Sequence, residues 1–373
     1  MMRIAINASI VDPVPSGLGV YTINVLRELA KLHDELVIYT SCPEVCGVTS
    51  TKFRRISHRV RPSYGRPGHI TRMAWIQTSL PFRLLADKIS LLFSPLPEGM
   101  LFSLIPQIVV VHDLIPLHFP ESLPRQCLYY RYFVPFLLRR SQAIVAVSEN
   151  TKKDIVAMYG IEPSKVRVVP NGLDASHFRV GIDVSTVKRK YELAPYLLYV
   201  GNILPHKNLR RLLQAFASIA KKVSHKLVIV GKKDYRYHPA LEAEAKALGI
   251  EERVFFLDYV PSEELPALYA GAEAFILSSL YEGFGLPVLE AMACGTPVIA
   301  SRVGALPEVA AAAAVLIDPH DVQGMASAMA AVLGDPTMRE AMRQKGLEQA
   351  QRFSWERTAL LTLDIIREVE GHR

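Results

Sequence analysis

Ser279–Ser301 reads SLYEGFGLPVLEAMACGTPVIAS: a strand, a turn carrying Gly283 and Gly285, a helix opening near Leu286, and a Gly-Thr-Pro break into a further strand. Strand, helix and strand in that order form a parallel crossover unit, because parallel neighbours cannot be joined by a tight hairpin. The stretch also carries chemistry. Glu282 stands in the turn and Glu290 lies in the helix behind it. A helix N-terminus and glycine backbone can hold an anion, and carboxylates on either side accept hydrogen bonds from hydroxyl-rich groups such as sugars and ribose. Two carboxylates also fit the acid/base pair of a glycoside hydrolase; the helix N-terminus beside them favours a phosphate-bearing sugar.

The same grammar extends in both directions. In the first half, strands are expected at Arg3–Ala8, Leu36–Thr40, Ile89–Phe93, Gln107–His112, Ala143–Val147 and Val166–Pro170. In the second they are expected at Tyr196–Val200, Lys226–Val230, Arg253–Leu257, Ala274–Leu277, Pro297–Ala300 and Val315–Ile317. These near-continuous apolar runs suit strands covered on both faces, and helical periodicity lies between them, as at Val20–Leu32, Arg125–Arg140 and Asn208–Lys222. The expected class is α/β, two Rossmann-like doubly wound parallel-sheet domains. At roughly 150 residues per domain, 373 residues fit two or a little more. The boundaries are placed at 1–180, 181–354 and a last helix, 355–373, turning back onto the first domain. Ligands of such sheets bind at the carboxyl ends of the strands, so the cleft between the two sheets is the first place to look.

Three further motifs fall at strand-to-helix turns. Ser16–Thr22, SGLGVYT, opens the first helix, where Gly17 and Gly19 allow close backbone approach to a ligand. It is not a dinucleotide fingerprint, since Thr22 stands at the third glycine position. In VVVHDL, His112 ends an apolar strand; its alternative is a hydrogen-bonded structural histidine beside Asp113. In Gly201–Leu209, GNILPHKNL, Lys207 offers a point charge to a diphosphate, or else is a solvated helix-start lysine. No Walker loop occurs anywhere.

Charge is unevenly shared. The chain carries +7, but residues 1–180 hold 21 basic and 13 acidic side chains and the remainder 22 and 23. Val45–Ala86 has no acidic residue and gathers Lys52, Arg54, Arg55, Arg59, Arg61, Arg66 and Arg72 among Pro62, Gly65, Pro67 and Gly68, which reads as a mobile basic loop facing something anionic. Nucleic acid is disfavoured, because no recognition motif accompanies the charge. Cys42, Cys46, Cys127 and Cys294 are too few for a disulfide scaffold and read as free thiols in a reducing compartment. No stretch reads as a signal peptide or a membrane span.

Taken together, SGLGVYTINVLREL, HDLIPLHFPE, IVAVSENTKKDI, VRVVPNGLD, GNILPHKNLRRLLQAF, LVIVG, EGFGLPVLEAMACGTPVIAS and VGALPEV resemble, in order and spacing, the retaining glycosyltransferases of family 4, with the GT-B architecture. The resemblance implies a nucleotide-sugar bound by the second domain and an acceptor bound by the first. Glu282 matches the carboxylate that holds the donor sugar, Glu290 the one on the ribose, and Lys207 the cation on the diphosphate. Gly283, Phe284, Gly285 and Leu286 match backbone positions lining sugar and phosphate. His112 matches the histidine pointing at the reacting centre, Gly17 and Gly19 the glycine loop facing phosphates and acceptor, and Val260 the loop that meets the base. Many relatives carry arginine where Asn202 stands; His206, a first-domain arginine, or helix amides with Lys207 alone would have to replace it.

HDLIPLHFPE resembles bacterial mannosyltransferases and rhamnosyltransferases of surface polysaccharides. It implies GDP-mannose as first donor, a saccharide acceptor carried on polyprenyl diphosphate, and a peripheral place at the cytoplasmic face of the inner membrane, against which the basic run would sit. No cofactor is expected, and no Asp-x-Asp pair is present, which fits chemistry without a metal. The alternatives are UDP- or dTDP-sugar donors, a nucleotide-sugar epimerase on the same architecture, and a non-catalytic binder.

Overall fold

The computed structural model describes residues 2–49, 52–193 and 195–371. The chain divides into two compact units, one formed by Met1–Gly172 with Trp355–Arg373 and the other by Leu173–Ser354. The division falls upstream of the expected residue 180. Residues 173–180 go with the second unit because they pack there: His177 Nε2 donates to the Ser262 carbonyl at 2.9 Å, and the Phe178 ring meets Tyr269 edge-on at 5.9 Å.

In the first unit the strands are β1 (Ile4–Asn7), β2 (Leu36–Thr40), β3 (Lys52–Arg55), β4 (Leu91–Ser94), β5 (Gln107–Val111), β6 (Ala143–Ala146) and β7 (Val166–Val168). They form a seven-stranded sheet, β3-β2-β1-β4-β5-β6-β7, parallel throughout. β1, β2, β4, β5 and β6 are buried along their whole length, as their apolar runs require. Strand order reverses between β1 and β4. There Asn7 Nδ2 donates to Ser94 Oγ at 3.1 Å, stitching the two carboxyl ends.

The second unit holds β8 (Tyr196–Val200), β9 (Lys226–Val230), β10 (Val254–Leu257), β11 (Ala274–Leu277), β12 (Val298–Ser301) and β13 (Ala314–Ile317), all parallel, in the order β10-β9-β8-β11-β12-β13. Its reversal point lies between β8 and β11.

The run expected to be a mobile loop is ordered structure. Lys52–Arg55 is the edge strand β3, two short 3-10 turns follow, and Gly65–Ala86 is one helix of 22 residues. Its buried face is Gly68, Arg72, Ile76, Leu80 and Leu84, a stripe at four-residue spacing in which an arginine takes a core position. Arg72 is held there by a bidentate pair with Glu98, Nε to Oε2 at 2.6 Å and a terminal nitrogen to Oε1 at 2.8 Å, and it donates to the Val60 carbonyl at 2.9 Å. Burial alone would raise the Glu98 carboxyl, yet the Arg72 guanidinium and the nearby His69 hold it down at about 2.

Most of the other basic side chains are engaged too. Arg54 pairs with Asp87 at 2.6 Å, Arg55 with Glu44 at 3.4 Å, Lys52 approaches Glu35 at 4.0 Å, and Arg61 donates to Ser41. Only Arg59 and Arg66 have exposed side chains with no such partner among the described residues.

The final helix, Trp355–Gly371, belongs to the first unit and packs along the helix Gly17–Leu32. Thr358 Oγ1 donates to the Pro170 carbonyl at 2.8 Å and Arg167 pairs with Glu368 at 2.6 Å. No described helix is long and apolar enough to cross a membrane. All four cysteines are buried and free.

Candidate active site

The reversal point of the second sheet gathers the strongest chemistry. β8 runs into Gly201 and the 3-10 turn Pro205–Lys207, and β11 runs into Ser278–Gly285 before the helix Leu286–Ala293. Because β8 and β11 are neighbours, their carboxyl-end loops lie side by side, and Lys207 and Glu282, 75 residues apart, meet: Nζ lies 2.6 Å from Oε1. Ser279 Oγ donates to the same carboxylate oxygen at 2.6 Å. The Lys207 and Glu282 side chains are 14% and 10% exposed, so the cation and the acceptor are both mostly withdrawn from water.

Three features hold this pair in place. Asn208 takes a left-handed conformation, φ 61°, that ends the turn, and its amide donates to the carbonyls of Ser278 and Pro319 at 3.1 and 2.8 Å. Ser278 Oγ donates to the Lys207 carbonyl at 3.1 Å. Gly304 lies so close to Glu282 that a Cβ there would collide with its backbone, and the Ala305 amide donates to the Glu282 carbonyl at 3.0 Å. Gly285 caps the helix with φ 100°, a conformation that favours glycine.

Glu290 sits one turn into that helix and accepts from the Tyr269 hydroxyl at 2.8 Å. Burial raises its carboxyl to about 7, with the tyrosine hydrogen bond pulling the other way. The carboxylate is therefore poised between its two forms near neutral pH.

The Phe284 side chain is buried against the Phe353 ring, centroids 5.9 Å apart, and Val260 is buried while its neighbour Tyr259 is 66% exposed. Leu286 is partly exposed at the helix start, and Asn202 is exposed, its carbonyl accepting from the Tyr199 hydroxyl at 3.3 Å. His206 does not supply the missing charge beside Asn202. It is buried, and burial with the neighbouring Lys207 cation lowers its imidazole to about 4, so it is neutral at physiological pH.

In the first unit, His112 follows β5 and its Nε2 lies 2.9 Å from the Pro95 carbonyl. A carbonyl only accepts, so Nε2 carries the proton. Burial depresses the imidazole to about 4 against the pull of that carbonyl, and the neutral ring leaves Nδ1 as an acceptor. The Tyr21 ring meets His112 edge-on at 4.5 Å and Trp355 at 5.7 Å, so the final helix braces the histidine through Tyr21. Gly17 starts its helix on open surface, where a Cβ would touch nothing within 4 Å; at Gly19 it would press on Pro15 at 3.2 Å.

Ser279, Asn208, Tyr269 and Gly304 escaped sequence reasoning. Gly304, Asn208 and Ser279 lie inside the motifs, and an asparagine directly before a helical run is the signal for Asn208. Nothing in the sequence joined Tyr269 to Glu290. Among the described residues no three His, Cys, Asp or Glu side chains are grouped to hold a metal ion.

The family model Glycosyl transferases group 1 matches residues 184–349 and Glycosyltransferase Family 4 matches residues 15–177. The chain is 32% identical over 265 residues to O-antigen chain mannosyltransferase B of Escherichia coli, 69% of either chain. Sucrose-phosphate synthase from Thermosynechococcus elongatus shares its fold with TM-score 0.80 at 20% identity over the whole of both chains. Anabaena HepE, solved in complex with UDP and glucose, does so at 0.77 and 18% identity, over 99% of this chain and 100% of that one. With both halves matched in order and the sheets of a GT-B enzyme, the chain belongs to glycosyltransferase family 4.

Proposed function

We propose that this glycosyltransferase moves a hexose, mannose from GDP-mannose in the first instance, to a hydroxyl of a saccharide carried on polyprenyl diphosphate, with retained anomeric configuration and without a metal. The observation that carries the reading is the Lys207–Glu282 pair at the reversal point of the second sheet. In this reading a nucleoside diphosphate draws the Lys207 ammonium onto its phosphates, and Glu282, held by Ser279, accepts from the sugar hydroxyls. Departure of the diphosphate builds negative charge where the lysine and the amides of the helix Leu286–Ala293 already point, so stabilisation grows toward the transition state. Glu290 takes the ribose hydroxyls in its ionised form. His112, neutral with Nδ1 accepting, receives a hydroxyl of the donor sugar.

Mannose rests on the likeness to O-antigen chain mannosyltransferase B, and the lipid carrier and cytoplasmic face on the resemblance of HDLIPLHFPE to surface-polysaccharide enzymes. A UDP-sugar donor is the second reading, favoured by the UDP held in Anabaena HepE. Incubating the protein with GDP-mannose, UDP-glucose and dTDP-rhamnose, each with a polyprenyl-diphosphate-linked saccharide and with EDTA, separates the readings. Transfer from GDP-mannose undiminished by EDTA is expected. Preference for a UDP- or dTDP-sugar overturns the donor, loss of transfer on chelation overturns the metal-free chemistry, and conversion of the nucleotide-sugar without acceptor points to an epimerase.

A further inference from the structure

Ligands of a doubly wound sheet bind where strand order reverses, and in the first unit that point lies between β1 and β4. The loop that follows β4 is gripped there from three sides. His112 Nε2 donates to the Pro95 carbonyl at 2.9 Å, the Tyr129 hydroxyl to the Pro97 carbonyl at 2.7 Å, and Asn7 Nδ2 to the Glu98 carbonyl at 3.3 Å. Tyr129 opens the π turn Tyr129–Phe133, a wide helical turn of the kind that gathers at functional sites. The Glu98 carboxylate is met by His69 and Arg72, three residues apart on the helix Gly65–Ala86. Four consecutive residues, Pro95 to Glu98, thus carry the contacts of both His112 and His69.

His69 is the member of this group that reaches outward. Its side chain is 41% exposed, against 5% for Arg72 and 9% for Glu98. Its Nδ1 faces inward, 3.4 Å from Glu98 Oε1 and 3.3 Å from an Arg72 terminal nitrogen, and the Tyr129 ring meets the imidazole edge-on at 5.5 Å. Nε2 has no hydrogen-bond partner among the described residues. An apolar pair of similar volume often fills buried positions as stably as an ion pair. What Arg72 and Glu98 add is a fixed pair of polar contacts at Nδ1, which orient the ring and leave Nε2 to a ligand. Their charges cancel, so the pair offers an anion no net attraction. An imidazole nitrogen that donates in one tautomer and accepts in the other matches a hydroxyl, which does both. We propose that His69, held by Glu98 and Arg72, is the residue of the first unit that hydrogen-bonds a hydroxyl of the acceptor saccharide. The proposal rests on the reading that the first unit takes the acceptor and is independent of the donor.

The test is KM for a polyprenyl-diphosphate-linked saccharide and KM for the nucleotide-sugar, measured separately with whichever of GDP-mannose, UDP-glucose and dTDP-rhamnose supports transfer. Two variants of the full chain divide the ring between them: asparagine keeps a polar atom near the place of Nδ1 and removes Nε2, while glutamine sets its amide near the place of Nε2. His69→Asn is expected to raise KM for the saccharide about tenfold, the worth of one neutral hydrogen bond, with KM for the nucleotide-sugar and the melting temperature at the wild-type level. His69→Gln is expected to bring KM for the saccharide back to within about threefold of wild type. An unchanged KM for the saccharide in His69→Asn overturns the proposal. So does the opposite order, His69→Gln impaired and His69→Asn normal, which would leave the imidazole a structural partner of Glu98 alone. A rise confined to KM for the nucleotide-sugar overturns it as well, by moving the residue to the donor. Wild type that consumes the nucleotide-sugar and leaves the saccharide unused would overturn the acceptor reading itself, and the proposal with it.

Discussion

At the scale of single residues, three groups matter because burial has changed what they can do. Lys207 and Glu282 are a nearly buried pair, and an ion pair withdrawn from water is costly to break one side at a time, since the remaining charge is stranded. His112 is kept neutral by burial, so its hydrogen bond to Pro95 fixes which nitrogen accepts. Glu290 is the pH-sensitive member. Its carboxyl, ordinarily near 4.5, is raised to about 7 in the folded chain, so between those values the fold holds a proton that the unfolded chain has released. Stability from this group is therefore full below pH 4.5 and lost as pH rises through about 7. Thermal melts of wild type and Glu290→Gln between pH 5 and 8 should show a stability difference that shifts in favour of the variant by on the order of a few kcal/mol toward pH 8. A pH-independent difference would contradict the raised carboxyl. Lys207, Glu282, His112 and Glu290 are legible because motifs mark residues of recurrent type; Tyr269 is not, because its bond to Glu290 joins two helices and leaves no local trace, and Ser279, three residues before Glu282, carries nothing that sets it apart from Ser278.

At the scale of elements, buried strands were read almost to the residue, since a strand covered on both faces must be a short apolar run; Leu36–Thr40 and Ala274–Leu277 have the expected bounds. What failed were β3 and the helix Gly65–Ala86, for one reason. Each spends basic residues where apolar ones are expected: β3 is KFRR on a sheet edge, and the helix places Arg72 in its core stripe, legible only when Glu98, 26 residues later, is known to meet it. The pair has a stability consequence distinct from any surface role. Arg72→Ala leaves the Glu98 carboxylate buried with only His69 beside it and should destabilise the fold by about 3–5 kcal/mol, read from denaturant unfolding. Replacement of Arg59 and Arg66, which are exposed, should cost less than about 0.5 kcal/mol. Similar costs for Arg72 and Arg59 would contradict the buried pair.

For the whole molecule, the charge asymmetry follows the division into two units. The second unit is close to neutral and carries Lys207, Glu282, Glu290 and the helix Leu286–Ala293. The first carries the excess charge, but much of what lies in Lys52–Arg72 is spent internally on Asp87, Glu44 and Glu98. A raw count of arginines therefore overstates the cations that stand free on that unit. The central claim remains the pairing of Lys207 with Glu282 as the donor-sugar and diphosphate site. It is tested most directly by kcat/KM for GDP-mannose in Lys207→Met/Glu282→Gln, which removes both charges together and so leaves neither stranded. The variant is expected to melt near wild type while transfer falls by about a thousandfold or more. Transfer within tenfold of wild type from a folded variant would contradict the account.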